Sequence, residues 1–160
     1  MNLSKRILSA IAFCSIAAVT GCVYDDIDGC PTRRYVQIRY DKNLKSTDAA
    51  SSEVKFVSIY AADKNGTVVY VKTSSAAELS ESGYQVNVSD MPSGNYTLFA
   101  WAEGEQRNPD SYMQVSVTPG KTDVDELKRM IQRNSSCEVD KDLTPLFHGM
   151  TENVDFTDFR

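Results

Sequence analysis

Four cysteines are the residues whose positions most restrict the chemistry of this chain. Cys14 lies inside an uncharged apolar run, Ile7 to Val19, and Cys22 follows shortly after that run. Cys30 and Cys137 are far apart in the remaining sequence. A cysteine thiol can be acylated, oxidised to a disulfide or bound to a metal, and none of the four stands in a CxxC or Cys/His cluster. The spacing therefore predicts no metal site and leaves acylation and oxidation as the chemistries to consider.

The first 22 residues have the layout of a secretory signal. Lys5 and Arg6 precede the apolar run, whose 13 residues are fewer than the ~20 that a membrane-spanning helix needs. The Gly21-Cys22 junction resembles the lipobox of bacterial lipoproteins, in which signal cleavage leaves the cysteine lipidated at the new N-terminus. We therefore expect residues 1–21 to be a removed signal peptide and Cys22 to carry fatty acyl chains such as palmitate. An uncleaved membrane helix is the alternative.

Composition and charge exclude some classes of function. Removing residues 1–21 leaves 139 residues, enough for one ordinary domain. These residues include 15 basic and 22 acidic side chains, a net charge of about −7. An acidic chain without a basic block lacks the electrostatic footprint of a nucleic-acid-binding protein. We therefore expect no nucleic acid as a partner, and membrane attachment through lipid instead of through charge.

Cys30 and Cys137 are disulfide candidates. They remain as a pair in a chain that is sent to an oxidising compartment, where disulfides persist. A bridge between them would close a loop of more than 100 residues. The chain-entropy model gives about 5 kcal/mol of stabilisation for a loop of that length. Sequence alone does not decide whether this disulfide forms, because it does not show that the two sulfur atoms meet.

Residues 33–136 carry the pattern of a β domain. Alternating apolar residues, as in Tyr35–Tyr40, and apolar runs, such as the central-strand candidate Tyr96–Ala102, predict about six short strands. Asp63-Lys64-Asn65-Gly66 is typical of a hairpin turn. Asp123–Arg133 has the capping and apolar spacing of a short helix packed on the sheet. We therefore predict a mainly all-β sandwich with one short C-terminal helix.

No constellation of catalytic residues is found. His148 is the only histidine, and no serine motif accompanies it, so a nucleophile activated by an imidazole base is not indicated. Asp63-x-Asn65-Gly66 matches a fragment of a calcium loop, but Ser74 stands where the bidentate glutamate would be. We expect no enzymatic activity, no cofactor and no small-molecule substrate.

Five groups of residues, taken together, resemble the fimbrial anchor-subunit lipoproteins (FimB-type) of Bacteroidetes. In chain order they are Gly21-Cys22 followed by acidic residues and Cys30-Pro31, then Tyr35–Asp41, Val57–Tyr60 with Asp63–Gly66, Met91–Trp101, and Asp142–Gly149. Each group alone is a weak signal. Their order and spacing across nearly all of the chain after Gly21 make the resemblance fairly specific.

The resemblance implies a transthyretin-like Greek-key β-sandwich on the outer face of the outer membrane. It also implies a position at the base of a fimbrium, where shaft subunits are linked by donated β-strands. Asp25, Asp26 and Asp28, in a lipidated tether of residues 22–32, resemble the acidic signal that directs Bacteroidetes lipoproteins to the surface. The expected partners are a fimbrial shaft subunit and, through lipid on Cys22, the outer membrane.

The C-terminal part departs from the family pattern. Residues 137–160 resemble a linker and the start of an incomplete second domain, whereas family members usually carry two such domains. One alternative is therefore a truncated, non-functional anchor. Another is a surface lipoprotein that binds glycan or another ligand, with Trp101, Tyr96 and Tyr112 as candidate aromatic contacts.

Overall fold

The computed structural model describes residues 33–42, 44, 48–104, 112–113 and 116–157. Along these residues lie β1 (Tyr35–Gln37), α1 (Ala50–Glu53), β2 (Phe56–Ala62), β3 (Val68–Ser74), α2 (Ala76–Glu81), β4 (Gln85–Asn87), β5 (Asn95–Glu103), β6 (Tyr112–Met113), a 3₁₀ turn (Val124–Glu126), β7 (Met130–Ile131) and β8 (Leu146–Asp155). No helix in this part of the chain is long and apolar enough to span a membrane.

A four-stranded antiparallel sheet in the order β3-β2-β5-β8 forms the larger layer. Its two central strands, β2 and β5, pair without interruption from Phe56 opposite Glu103 to Ala62 opposite Thr97. Central strands are covered on both faces and therefore collect the most apolar sequence. The prediction that the apolar run Tyr96–Ala102 is a central strand is confirmed.

The hairpin between β2 and β3 closes with the turn that the sequence predicts. Gly66 has a φ of +84°, and its N–H donates to the Asp63 carbonyl at 3.0 Å. The Asp63 carboxylate accepts the N–H groups of Thr67 and Asn65 at 3.0 and 2.9 Å. The bond from Thr67 is the largest cause of the lowered pKa of Asp63. The carboxylate therefore stabilises the turn, and the predicted hairpin is confirmed.

β1 and β4 form a two-stranded antiparallel sheet that packs against the larger one. The β4 residue Val86 and the β1 residue Val36 join an apolar core with Val57 and Ile59 of β2 and Leu98 of β5. Val57 and Ile59 are 0% and 1% exposed. The all-β sandwich that the sequence predicts is confirmed.

Helix α2 connects the two sheets and is held at both its start and its centre. Ser75 and Glu78 form a capping box, in which each side chain accepts the backbone N–H of the other residue. Leu79, in the middle of the helix, is fully buried in the core. The small-residue stretch after β3 is therefore a fixed helix that contributes to the core.

The prediction of a short helix at Asp123–Arg133 is wrong. Only the 3₁₀ turn Val124–Glu126 forms, and the residues after it continue into β7, which pairs with β6. Met130 is 50% exposed, so the apolar spacing did not mark a buried helical face. An isolated β-bridge joins Thr67 to Asp123 at the start of the segment. Extended pairing with neighbouring strands thus replaces local helical bonds.

From the sequence, residues 137–160 are assigned to a linker and the start of a second domain. For the residues of this range that the structure describes, 137–157, that assignment is corrected. Leu146–Asp155 pairs along β5 as strand β8, at the edge of the larger sheet. Phe147 and Val154 pack against the core. The described residues lie within one compact unit, Thr32–Arg160.

The face of the larger sheet that points away from the core is partly covered by the segment that contains β7. Arg129 Nη2 lies 3.8 Å from the Glu103 carboxylate, and the two side chains are only 5% and 7% exposed. The Arg129 guanidinium also lies 6.0 Å from the centre of the Trp101 ring. This cover explains why Glu103 is buried although it does not point into the core.

Gly94 and Tyr96 form a close contact at the turn into β5. The Tyr96 hydroxyl lies 3.2 and 3.3 Å from the Pro92 and Ser93 carbonyl oxygens. A Cβ on Gly94 would lie 2.8 Å from that hydroxyl oxygen. We expect Gly94→Ala to lower the free energy of unfolding by roughly 1–3 kcal/mol, because the Tyr96 ring must move. Urea denaturation measures the change. A Tyr96→Phe background should reduce it, and an equal loss in both backgrounds would contradict this contact.

Candidate functional site

A groove runs along the open side of the sandwich, between β8 and the segment formed by β1 and residues 38–42. Its volume is about 710 Å³. The groove exists because the smaller sheet has two strands and the larger one has four, among the residues that the structure describes. Part of the apolar inner face of the larger sheet is therefore left without an opposing strand.

The floor of the groove is apolar. It is formed by Val57 and Ile59 of β2 and by Leu98, Ala100 and Ala102 of β5. Alternate residues of a strand point to the same face, and these residues belong to the face that carries the core. Four of them are already buried, at 0–8% exposed, so an incoming segment would mainly cover the half-buried Ala100 and Phe147.

β1 lines one side of the groove with a strand edge. The Ile38 N–H, just after β1, donates to the Tyr84 carbonyl at 2.9 Å, so the bonds of this stretch to the β4 side are made by even-numbered residues. The backbone groups of Tyr35, Gln37 and Arg39 consequently point away from β4. Among the described residues, β1 has no strand on that side. Such an edge is a template for pairing with another chain.

β8 lines the opposite side, and within the described part of the chain it is itself an edge strand. It is ten residues long, and no Lys, Asp, Glu or Pro occurs from Leu146 to Thr151. Edge strands that must stay unpaired usually carry such residues. Asn153, with a φ of +56°, and a register shift interrupt the regular pairing only near the far end. Both sides of the groove therefore offer regular strand edges.

Polar contacts order one rim of the groove. The Asp48 carboxylate accepts the N–H groups of Tyr40 and Ala50 at 2.8 and 3.0 Å and lies 3.9 Å from Arg39. The bond from Tyr40 is the largest cause of the lowered pKa of Asp48. The Tyr40 ring packs on Phe147 of β8 with 4.8 Å between ring centres. These contacts hold the segment after β1 against the opposite side of the groove.

Most of the site residues predicted from the sequence lie outside the described residues. They are the lipid-attachment candidate Cys22, the tether residues Asp25, Asp26 and Asp28, and the disulfide candidate Cys30. The same holds for the predicted signal peptide and tether as a whole. The other disulfide candidate, Cys137, is exposed in a turn with a φ of +63°. Lipidation, the tether and the bridge stay predictions.

The three aromatic residues considered for carbohydrate binding do not share one surface. Tyr96 is 8% exposed and belongs to the core. The Tyr112 hydroxyl donates to the Thr144 carbonyl at 2.9 Å. Trp101 is half-buried on the outer face of the larger sheet, where its ring centre lies 4.7 Å from that of the exposed His148. The single histidine is thus an aromatic neighbour of Trp101, away from the groove floor.

The groove is not predictable from the sequence. The alternation of Val36, Ile38 and Tyr40 is predictable, and these residues face the core as it indicates. Periodicity reports which side chains face the core, but it does not report how many neighbours a strand has. The small residues Ala100 and Gly149 lie opposite each other. Only the register reveals that they leave space at one place.

Comparison with solved structures finds the same fold in Bacteroides proteins. A candidate polysaccharide-binding protein of Bacteroides thetaiotaomicron is 32% identical over 78% of this chain, with a TM-score of 0.68. A candidate adhesin of Bacteroides ovatus is 18% identical over 82%, with a TM-score of 0.64. A candidate adhesin of Bacteroides thetaiotaomicron is 24% identical over 81%, with a TM-score of 0.59. The match covers 42%, 44% and 43% of these three chains, so this chain spans less than half of their length.

No curated protein matches the sequence. A family model does match, over residues 27–158. The match includes β1, β5 and β8, and with them the floor and both sides of the groove. It confirms the resemblance drawn from the ordered motifs. The chain belongs to the family of fimbrillin-A associated anchor proteins Mfa1 and Mfa2.

Proposed function

We propose that this protein is an outer-membrane lipoprotein that attaches a fimbrial polymer to the cell surface. The observation that carries the proposal is an apolar groove of about 710 Å³, bounded by two strand edges, in a member of a fimbrial anchor family. An extended segment of a fimbrial shaft subunit would occupy the groove as an added strand. This is the recognition mode in which backbone hydrogen bonds give affinity and side-chain pockets give specificity.

The chemistry of the groove suits an added strand in two respects. The backbone of Tyr35, Gln37 and Arg39 offers hydrogen bonds, each with a net contribution of roughly 0.5–1.5 kcal/mol. Apolar side chains of the incoming strand would be buried against the floor, at about 0.8 kcal/mol for each of their methylene groups removed from water. Only an extended chain meets the β1 edge with its backbone while every second side chain faces the floor. The proposed partner is therefore a strand with apolar residues at alternate positions.

Attachment to the membrane is proposed to occur through lipid on Cys22. A single acyl chain gives only reversible membrane binding, whereas two or more chains hold a protein stably. The acidic residues Asp25, Asp26 and Asp28 are proposed to direct the lipoprotein to the cell surface. The role assigned in this way is structural, without catalysis and without a cofactor.

Deletion of the gene tests the proposal. We expect fimbriae to be shed into the medium, and we expect the gene supplied in trans to restore them to the cells. Electron microscopy of cells, together with immunoblots of the shaft protein in cells and medium, measures the distribution. Fimbriae that stay equally cell-bound in the deletion strain would contradict an anchoring role.

A second candidate function is binding of a surface glycan. It is favoured by the half-buried Trp101 beside the exposed His148, and by the related protein of Bacteroides thetaiotaomicron that is a candidate for polysaccharide binding. A glycan array separates the two functions. Binding by the natural protein that is lost in Trp101→Ala would support the glycan function, and silence of the array would remove it.

A further inference from the structure

We propose that the groove selects its partner through a pocket at Gly149, which accepts one bulky aliphatic side chain of the incoming strand. The inference rests on the proposed docking of a strand in the groove. It adds which position of the partner is recognised and which residue of this chain sets the preference.

The pocket lies where two neighbouring strands, β8 and β5, present a glycine and an alanine opposite each other. Gly149 of β8 is opposite Ala100 of β5, which is opposite Ile59 of β2. All three residues line the groove. A Cβ built on Gly149 would have no atom within 4 Å, apart from its chain neighbours. The space above Gly149 is therefore open, whereas Ile59 at the inner end of the row is buried, at 1% exposed.

Larger side chains bound the pocket along the strand direction. Two residues to one side, Phe147 is opposite Ala102, and its ring packs on Tyr40. Two residues to the other side, Thr151 is opposite Leu98. The β8 side chains on both sides of the pocket, Phe147 and Thr151, are therefore larger than that of Gly149. Residues i and i+2 of a strand share a face. One side chain of an incoming strand would therefore enter the pocket, and the side chains two residues before and after it would contact these larger neighbours.

The chemistry of the row defines the preferred side chain. Ala100 and Ile59 are apolar, and a charged group buried against them without a partner would be strongly disfavoured. A leucine would add three carbon atoms to the contact relative to alanine. At about 0.8 kcal/mol for each buried methylene group, we expect a preference of at least about tenfold.

Short synthetic peptides test the pocket directly. The probes are fluorescein-labelled peptides Lys-Thr-Val-Thr-X-Thr-Val-Thr-Lys, in which X is Leu, Ala or Asp and the two Val residues share a face with X. Fluorescence anisotropy measures their binding to the full chain purified in detergent. We expect the Leu peptide to bind at least about tenfold more tightly than the Ala peptide, and the Asp peptide to bind most weakly.

Variants inside and outside the groove locate the preference. Gly149→Leu should fill the pocket and abolish the advantage of the Leu peptide, and Ala100→Val should reduce the advantage from the facing strand. Glu152→Gln is the control, because Glu152 lies in the same strand, is exposed and does not line the groove. It should keep the natural preference. Thermal unfolding followed by circular dichroism verifies that each variant is folded.

The outcomes separate this inference from the proposed function. Equal binding of all three peptides, or a Leu preference that survives in folded Gly149→Leu, would overturn the pocket and leave strand docking in place. Absence of binding by every peptide would overturn the inference as well. The anchoring role would then be judged independently by the shedding of fimbriae from the deletion strain.

Discussion

Replacing Cys22 with alanine is expected to release the protein from the membrane fraction almost completely. The lipobox-like Gly21-Cys22 junction makes this thiol the proposed site of acylation. Two or more acyl chains bury many methylene groups at about 0.8 kcal/mol each, so their loss removes essentially all of the attachment energy. Ultracentrifugal fractionation of cells measures the distribution, and metabolic labelling with an alkyne fatty acid reports the lipid itself.

Cys137→Ala is the matched control for this experiment. It removes one thiol from an exposed turn that is not part of the proposed anchor. The control should remain in the membrane fraction with its lipid label intact. Retention of unlabelled Cys22→Ala in the outer membrane would contradict lipid anchoring and would point to attachment by another route.

Leu79→Ala is expected to lower the free energy of unfolding by about 2–5 kcal/mol. The Leu79 side chain is fully buried and packs in the core from helix α2. Its truncation loses the transfer free energy of the removed carbon atoms and leaves a cavity that the surrounding strands fill only in part. Urea denaturation followed by tryptophan fluorescence measures the change, because the chain contains a single Trp.

Leu143→Ala removes the same atoms from a side chain that is 45% exposed, and it serves as the control for Leu79→Ala. Surface substitutions of this kind usually change stability by less than about 0.5 kcal/mol. Equal effects at the two positions would contradict the placement of α2 in the core.

The fold was predictable where local sequence and tertiary pairing agree. The turn at Asp63–Gly66 and the apolar run Tyr96–Ala102 form as expected, because turn chemistry and apolar content depend on neighbouring residues alone. Asp123–Arg133 shows the opposite case. Its apolar spacing suits about two helical turns, yet pairing of β7 with β6 prevails. Helices this short gain little from propensity and depend on tertiary packing for their stability.

The groove shows a second limit of sequence reasoning. Residues 137–160 resemble a linker and the start of a second domain in the sequence, which does not predict that Leu146–Asp155 pairs with β5. The proposed lipid-attachment site at Cys22 is the contrary case, because a signal of this kind is linear and needs no partner in space. Sites that depend on an unfilled strand position become visible only when strand order and register are known.

Photo-crosslinking in intact fimbriated cells tests the central proposal most directly, that a fimbrial subunit occupies the groove. A photoreactive amino acid is introduced at Thr151, which lines the groove, or at the neighbouring Glu152, which is exposed and does not line it. After irradiation, the protein is purified under denaturing conditions and its adducts are identified by mass spectrometry. We predict that a fimbrial shaft subunit is captured from position 151 and not from position 152. Capture of no fimbrial protein at position 151, or equal capture at both positions, would contradict the proposed docking of a strand in the groove.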